Sequence, residues 1–382
     1  MKLLILGAGL QGCACAYHLL QHPDVERVVL ADLDPSRLPR FLAPLVGRRL
    51  HTATLDAGQR AAAVAHMRGQ DAVLCALPYY FNEAMTEAAL EAGCHFADLG
   101  GKTEVVVRQK RLHDAACAKG LAVVPDCGVA PGMVNILAAE GIRRLDAPRS
   151  VRLYVGGLPQ HPEPPLNYQI VYSLEGALDY YTTPSWVLRH GKVAQLDALS
   201  EVETLEFPAP VGTLEAFHTG GGASTMPFAW EGRIQTLEYK TLRYPGHAAI
   251  MRAIRDLGLI SSAPITVKGT TVAPRDVFIA AVEPRLRKPD GMDLIALRVV
   301  VEGDRRGAPA TERFELLDRH DLSLGVSAMM RTTGFSLSLT GMMAVRGEIP
   351  PGVRTPDEAV PFRPYVDGLA RFGVRIEESY AG

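Results

Sequence analysis

The chain has 382 residues, 47% hydrophobic and 21% charged. This is the composition of an ordinary folded protein with room for two cores, and it excludes a disordered, collagen-like or coiled-coil chain. Forty Lys and Arg offset 42 Asp and Glu, for a formal charge of −2 without a long run of one sign, so a small molecule is expected as partner, with no nucleic acid and no membrane. The six cysteines all precede residue 128 and show neither a C-x-x-C pair nor metal-ligand spacing. They read as reduced, mostly buried thiols of a cytoplasmic protein, and no metal site is expected.

The first element is an apolar strand, Lys2–Leu6, that runs into Gly7-x-Gly9-x-x-Gly12 and a helix over Gln11–Gln21. Gly7 makes the tight turn, Gly9 admits a pyrophosphate to the backbone, and Gly12 lets helix and strand pack closely; Leu10 and Gln11 open the helix that faces the phosphates. The same stretch has a second reading as a short secretory signal with Leu10-Gln11-Gly12-Cys13 as a lipoprotein-type cleavage box. That reading does not account for the next strand, Arg27–Ala31, which ends at Asp32, twenty residues after Gly12. An acid at this spacing meets the adenosine ribose hydroxyls and repels a 2′-phosphate, which favours NAD as cofactor. Arg37 keeps NADP open.

Strands Leu50–Leu55, Asp71–Ala76, His95–Leu99 and Leu121–Val124 then alternate with helices over Ser36–Val46, Gln59–Met67, Phe81–Glu91 and Glu104–Ala118. Pro39 and Pro44 weaken the first of these helices. The alternation is that of a Rossmann-type doubly wound parallel sheet occupying residues 1–130. Ligands of such sheets bind at the carboxyl ends of the strands, which selects Gly7–Gly12, Asp32, Leu77, Pro78, Asp98, Gly100 and Asp126.

After Pro131 strands dominate: Ser150–Val155, Asn167–Val171, Thr204–Phe207, Ile234–Leu242, Pro264–Val267, Leu294–Val301 and Thr311–Leu317. Residues 131–325 are expected to form an α+β domain on a mixed sheet, serving substrate binding and dimerisation. Residues 326–382 are expected to be helices packing back on the first domain. Their long apolar segment, Val326–Gly347, contains Arg331, Thr332, Thr333 and Ser336, which argue for burial in protein rather than a membrane span.

Several motifs in fixed order carry a resemblance. They are GAGLQG at 7–12, DLGG at 98–101, PDCGVAPGMVNIL at 125–137, SLEGALDYYTTP at 173–184, LEAFHTGGGAST at 214–225 and LEYKTLRYPGHA at 237–248. Over essentially the whole chain the sequence resembles the saccharopine dehydrogenase-like reductases, and within them the lysine 6-dehydrogenases. The resemblance implies NAD-dependent oxidation of the ε-amine of L-lysine to 2-aminoadipate 6-semialdehyde, which cyclises to a piperideine carboxylate, with release of ammonia. A saccharopine dehydrogenase or another ω-amine dehydrogenase of the same family is the alternative, and a non-catalytic NAD-binding sensor is a third.

Such a reaction needs a deprotonated amine, a cation for the far carboxylate, and a nicotinamide held against the reacting carbon. Arg243 is the candidate for the carboxylate, since guanidinium binds it bidentately; an interdomain ion pair is the other use for it. Lys240 is a further substrate-binding candidate, although strand alternation turns it away from Arg243. Asp126 at a strand end and His247 are the catalytic candidates, Asp126 also being suited to cap a turn. Glu175 is a candidate for the α-ammonium, or else an acid in the first turn of a helix; His218, Ser224 and Thr225 complete the substrate set. A homodimer through the second sheet is expected.

Overall fold

The computed structural model describes residues 1–288 and 290–382. The first third follows the βαβ alternation: β1 (Lys2–Leu6), α1 (Leu10–Leu20), β2 (Arg27–Asp32), β3 (Leu50–Thr54), α2 (Arg60–Met67), β4 (Ala72–Cys75), α3 (Asn82–Ala92), β5 (His95–Asp98), α4 (Thr103–Lys110), α5 (His113–Ala118) and β6 (Ala122–Val124). Leu3, Leu4 and Ile5 of β1 are wholly buried, as expected of a parallel strand covered on both faces. The expected helix over Ser36–Val46 does not form. Pro39 and Pro44 interrupt it, and one 3₁₀ turn at Ala43–Leu45 remains.

The chain continues through α6 (Met133–Arg144), β7 (Ala147–Pro159), α7 (Leu174–Thr182), β8 (Ser185–Arg189), β9 (Lys192–Leu196), β10 (Glu203–Phe207), β11 (Gly212–His218), α8 (Met226–Ala229), β12 (Thr236–Arg243) and α9 (His247–Asp256). It closes with β13 (Ile265–Val267), β14 (Thr270–Val272), α10 (Pro274–Leu286), β15 (Asp293–Arg305), β16 (Ala308–Arg319), α11 (Ala328–Val345), β17 (Gly352–Val353), α12 (Pro356–Ala359), α13 (Phe362–Ala370) and β18 (Glu377–Ala381).

The first sheet is parallel, ordered β17-β6-β5-β4-β1-β2-β3. The second is mixed, with β10-β11-β12-β7-β15-β16-β18 along its main path and one parallel pair, β12 with β7. Two expected strands differ. Asn167–Val171 is irregular, because Leu166 and Tyr168 turn into an apolar cluster with α7 and α9. Ile265–Val267 pairs only with β14, in a separate hairpin.

Helix α11 connects the two sheets. Ala328 to Ala344 are all buried, and the helix touches α1, β4 and β5 on one side and β15 on the other. Its glycines permit this: a Cβ at Gly334 would meet the Gln11 carbonyl oxygen and Ala14 Cβ, each 2.7 Å away, and one at Gly341 would strike Leu74. Arg331 is neutralised by Asp318 at 3.1 Å and Asp321 at 3.0 Å. The Asp293 carboxylate accepts the Ala328 and Met329 N–H groups at the helix start. Among the described residues no helix is long and apolar enough to cross a membrane.

The C-terminal segment is not helical throughout. Beyond Pro350-Pro351, where the chain favours an extended conformation, β17 joins the first sheet and β18 pairs with β16 of the second. Replacing Gly334 by Leu is expected to overpack the α1–α11 contact and to destabilise by roughly 1–3 kcal/mol. Calorimetry should show one lowered transition; an unchanged Tm would mean that the two helices are not in close contact.

Candidate active site

The glycine turn after β1 is built to bring its backbone to a ligand. Gly7 has φ +98°, and a Cβ at Gly12 would collide with the Gly7 carbonyl oxygen, so both positions require glycine. A Cβ at Gly9 would meet nothing within 4 Å, and no side chain caps α1. The turn is thus open where a phosphate would approach a helix N-terminus. Asp32 secures it: Oδ2 accepts the Ala8 N–H at 2.6 Å and Oδ1 that of Asp34 at 3.1 Å. Leu77 and Pro78 follow β4, and the Leu77 side chain lies beside Gly7. The Gln11 amide points into the neighbouring cleft region with both polar atoms buried and unpartnered. An open glycine turn, an uncapped helix and an orphaned amide together fit a dinucleotide.

This crevice continues into a cleft of about 180 Å³ between the two sheets and α11. Its floor is Gly100 and the Gly128–Ala130 turn, its far wall is β12 with α7, and Met329 and Thr333 of α11 close one side. Tyr172, Tyr180, Tyr181 and Tyr239 make the wall aromatic. At its end lies Arg243, 4% exposed. Nη1 donates to the Leu242 carbonyl at 2.8 Å, Nε donates to the Tyr181 hydroxyl at 3.3 Å, and the guanidinium lies 4.9 Å from the Tyr168 ring centroid. Burial is the largest influence on its charge, and tyrosines rather than carboxylates are its side-chain neighbours.

His247 stands behind this arginine. Its Nδ1 meets the Leu166 carbonyl at 3.1 Å and must be the protonated nitrogen, which leaves Nε2 to accept the Tyr181 hydroxyl at 3.0 Å. The chain Arg243–Tyr181–His247 therefore runs with one sense of donation and fixes the guanidinium. Burial, reinforced by the Arg243 charge, lowers the His247 imidazole to about 3. It stays neutral and outside the cleft, so the expected catalytic role gives way to a positioning role.

Asp126 follows β6 in the left-handed region, φ 65°. Its Oδ2 accepts the Ser224 hydroxyl, and its Oδ1 is unpartnered, directly behind Gly100, where a Cβ would fall on it. Burial, with a smaller contribution from Asp98 and partly offset by Ser224, pushes the Asp126 carboxyl up to about 8. At neutral pH it is largely a carboxylic acid, separated from the cleft by one glycine. Asp98 is consumed internally: it accepts Gly100 N–H at 2.7 Å, Asp126 N–H at 3.3 Å and Gln109 Nε2 at 2.7 Å. It shapes the loop rather than facing a cofactor.

The remaining expected substrate residues lie elsewhere. Lys240 turns to the opposite face of β12, donating to the Glu201 carbonyl and to Glu203, each at 2.8 Å. His218 sits opposite it on β11 with Glu201, Glu238 and the Arg189 guanidinium; His218 and the two glutamates could group around a cation, and Arg189 already stands among them. Glu175 is exposed in the first turn of α7. Thr225 is a buried residue at the start of α8, and Ser224 reaches only Asp126. The motifs do not single out the tyrosines. Tyr239 and Thr241 alternate with Arg243 on β12, however, so the period of two that turns Lys240 away also points to them.

Fold and cleft define a two-domain oxidoreductase of the dinucleotide-binding kind. Residues 3–124 match the saccharopine dehydrogenase NADP binding domain and residues 128–374 the saccharopine dehydrogenase C-terminal domain; the chain belongs to the saccharopine dehydrogenase family. It is 21% identical to saccharopine dehydrogenase [NADP(+), L-glutamate-forming] of Schizosaccharomyces pombe, over 99% of this chain and 98% of that protein. It is 25% identical to the mitochondrial alpha-aminoadipic semialdehyde synthase of Mus musculus over 68% of this chain, spanning 28% of that longer relative. The apo saccharopine dehydrogenase (L-Glu forming) structure from Saccharomyces cerevisiae shares the fold, with TM-score 0.79 and 19% identity over 100% of both chains.

The raised Asp126 value has a consequence for stability. Between about pH 4, the ordinary aspartate value, and about 8, the folded state keeps a proton that the unfolded chain has released. Stability falls as pH rises through that window. Asp126→Asn cannot ionise, so its Tm relative to the parent is expected to improve from pH 5 to pH 8. A difference that does not change with pH would assign Asp126 an ordinary ionised carboxylate.

Proposed function

We propose that this chain is an NAD-dependent dehydrogenase acting on the ε-amine of L-lysine. The observation that carries the reading is Arg243: a buried guanidinium with no carboxylate partner among the described residues, at the end of a cleft that begins at a dinucleotide crevice. A buried cation without a partner is costly, and a ligand carboxylate would neutralise it with paired hydrogen bonds. Bound NAD supplies the hydride acceptor. Asp32, with Asp34 two residues on, presents negative charge where a 2′-phosphate would sit, which supports NAD over NADP.

The amine must be neutral to expel a hydride, and the aromatic walls and Arg243 both lower its ordinary value of ~10.4. Asp126 is assigned the proton that the ammonium gives up, which it takes in its ionised form; with the carboxyl raised to about 8 that form is the minority at neutral pH and grows as pH rises. The carbon loses a hydride while the nitrogen lone pair forms the C=N bond. Water then adds to the iminium, and aldehyde and ammonium leave.

The names of the relatives favour a second substrate, saccharopine. Its three carboxylates call for more cations than Arg243. Arg189 is held by Glu201 and Glu238, Lys240 by Glu203, and Lys192 is exposed on β9.

Absorbance of NADH with purified protein decides. L-Lysine with NAD is expected to yield NADH and ammonia, with NAD preferred to NADP; turnover of saccharopine with lysine inert would select the second reading. Arg243→Ala is expected to raise KM for lysine roughly 10–100-fold, the range of a charged hydrogen bond, with a smaller change in kcat. An unchanged KM would move the carboxylate anchor elsewhere.

A further inference from the structure

The cleft provides for a carboxylate and not for a second ammonium. Among the described residues that line it, Arg243 is the one charged side chain and none is acidic. The acids nearby are already engaged. Glu215, opposite Arg243 in the β11–β12 register, is buried outside the cleft lining and accepts the Gly246 and Ala248 N–H groups at the start of α9. Asp179 is paired with Arg275 at 2.8 Å and accepts the Tyr79 hydroxyl at 3.3 Å. Glu175 is exposed, with only its backbone carbonyl accepting Arg275. Asp126 lies behind Gly100, held by Ser224.

Counting charge separates the possible ligands. With its reacting amine neutral, 6-aminohexanoate carries one negative charge and brings the Arg243 site to neutrality. L-Lysine carries an α-ammonium as well, and leaves one uncompensated positive charge. The α-nitrogen is bonded to the carbon next to the carboxylate, so it must enter the same tyrosine-lined end, roughly 5 Å from the guanidinium, where partial dehydration strengthens repulsion. An ammonium is also a compact, strongly hydrated charge that loses water on entry and finds no carboxylate in exchange. Cadaverine lacks the carboxylate and adds a cation, so it is disfavoured twice.

Resting on the ω-amine reading above, we propose that the cleft selects ω-amino monocarboxylates and that an α-ammonium contributes nothing to recognition. The reaction is the one already balanced: the terminal CH–NH₂ loses a hydride to NAD, and water releases ammonium from the iminium. The acidic product is a terminal aldehyde carboxylate.

The test compares 6-aminohexanoate, L-lysine and cadaverine with the intact protein and NAD, and measures binding of each to the protein by calorimetry. The expected result is kcat/KM for 6-aminohexanoate equal to or above that for lysine, with cadaverine at least 100-fold lower, and the same order in Kd. Lysine favoured over 6-aminohexanoate by tenfold or more would overturn the proposal and leave the ω-amine reading standing. Absence of NADH with all three would reject the ω-amine reading. The binding order would then still decide the charge argument, upheld by tighter 6-aminohexanoate and overturned by tighter lysine.

Discussion

The burial of α11 between two sheets is the constraint on which the remaining architecture depends. A helix buried all round must be apolar or internally satisfied on every face. Here Arg331 is paired with two aspartates, Thr332 and Thr340 return their hydroxyls to backbone carbonyls one turn back, and Gly334 and Gly341 let α1 and Leu74 approach. One apolar cluster therefore runs from β1 through α11 into β7 and β15. The cleft lies along the edge of that shared core, with Met329 and Thr333 in its wall. One of its walls is thus set by helix packing, which is stiff.

Charge in the cleft is governed as much by what is kept out as by what is let in. Glu201, Glu203 and Glu238 on the far face of the second sheet hold Arg189 and Lys240. Asp179 holds Arg275. Asp98 is enclosed by hydrogen bonds, and burial keeps the carboxyl of Asp126 raised. What remains is a single guanidinium whose direction is imposed by a neutral tyrosine–histidine chain. Neutral hydrogen bonds can orient an arginine without cancelling its charge, which an aspartate in the same place would have done.

The parallel sheet was legible because hydrophobic periodicity and glycine spacing are local properties. β1, β2, β5 and β6 fall where apolar runs place them, and Gly7, Gly9 and Gly12 sit as the spacing implies. Arg243 was legible as a cation in a strand, and Lys240 as its opposite-facing neighbour. The site beyond these was less so. Tyr172, Tyr180 and Tyr181 come from an irregular segment and a helix whose position depends on packing far along the chain. The neutral state of His247 depends on burial that no motif records. Asn167–Val171 carries strand-forming residues, yet its neighbours gain more by filling a cluster than by pairing. Tertiary context decided each of these.

The cleft face of β12 also acts as a ruler. Tyr239, Thr241 and Arg243 share that face, and alternate positions on a strand are about 6.6 Å apart. The strand is central, clamped by β11 and β7, so its register cannot slide without turning these side chains to the other face. The position of the Arg243 guanidinium along the cleft is therefore written in residue number along one strand. Moving the cation by two positions would change the length of molecule that spans the cleft by one pleat repeat, leaving the dinucleotide half untouched.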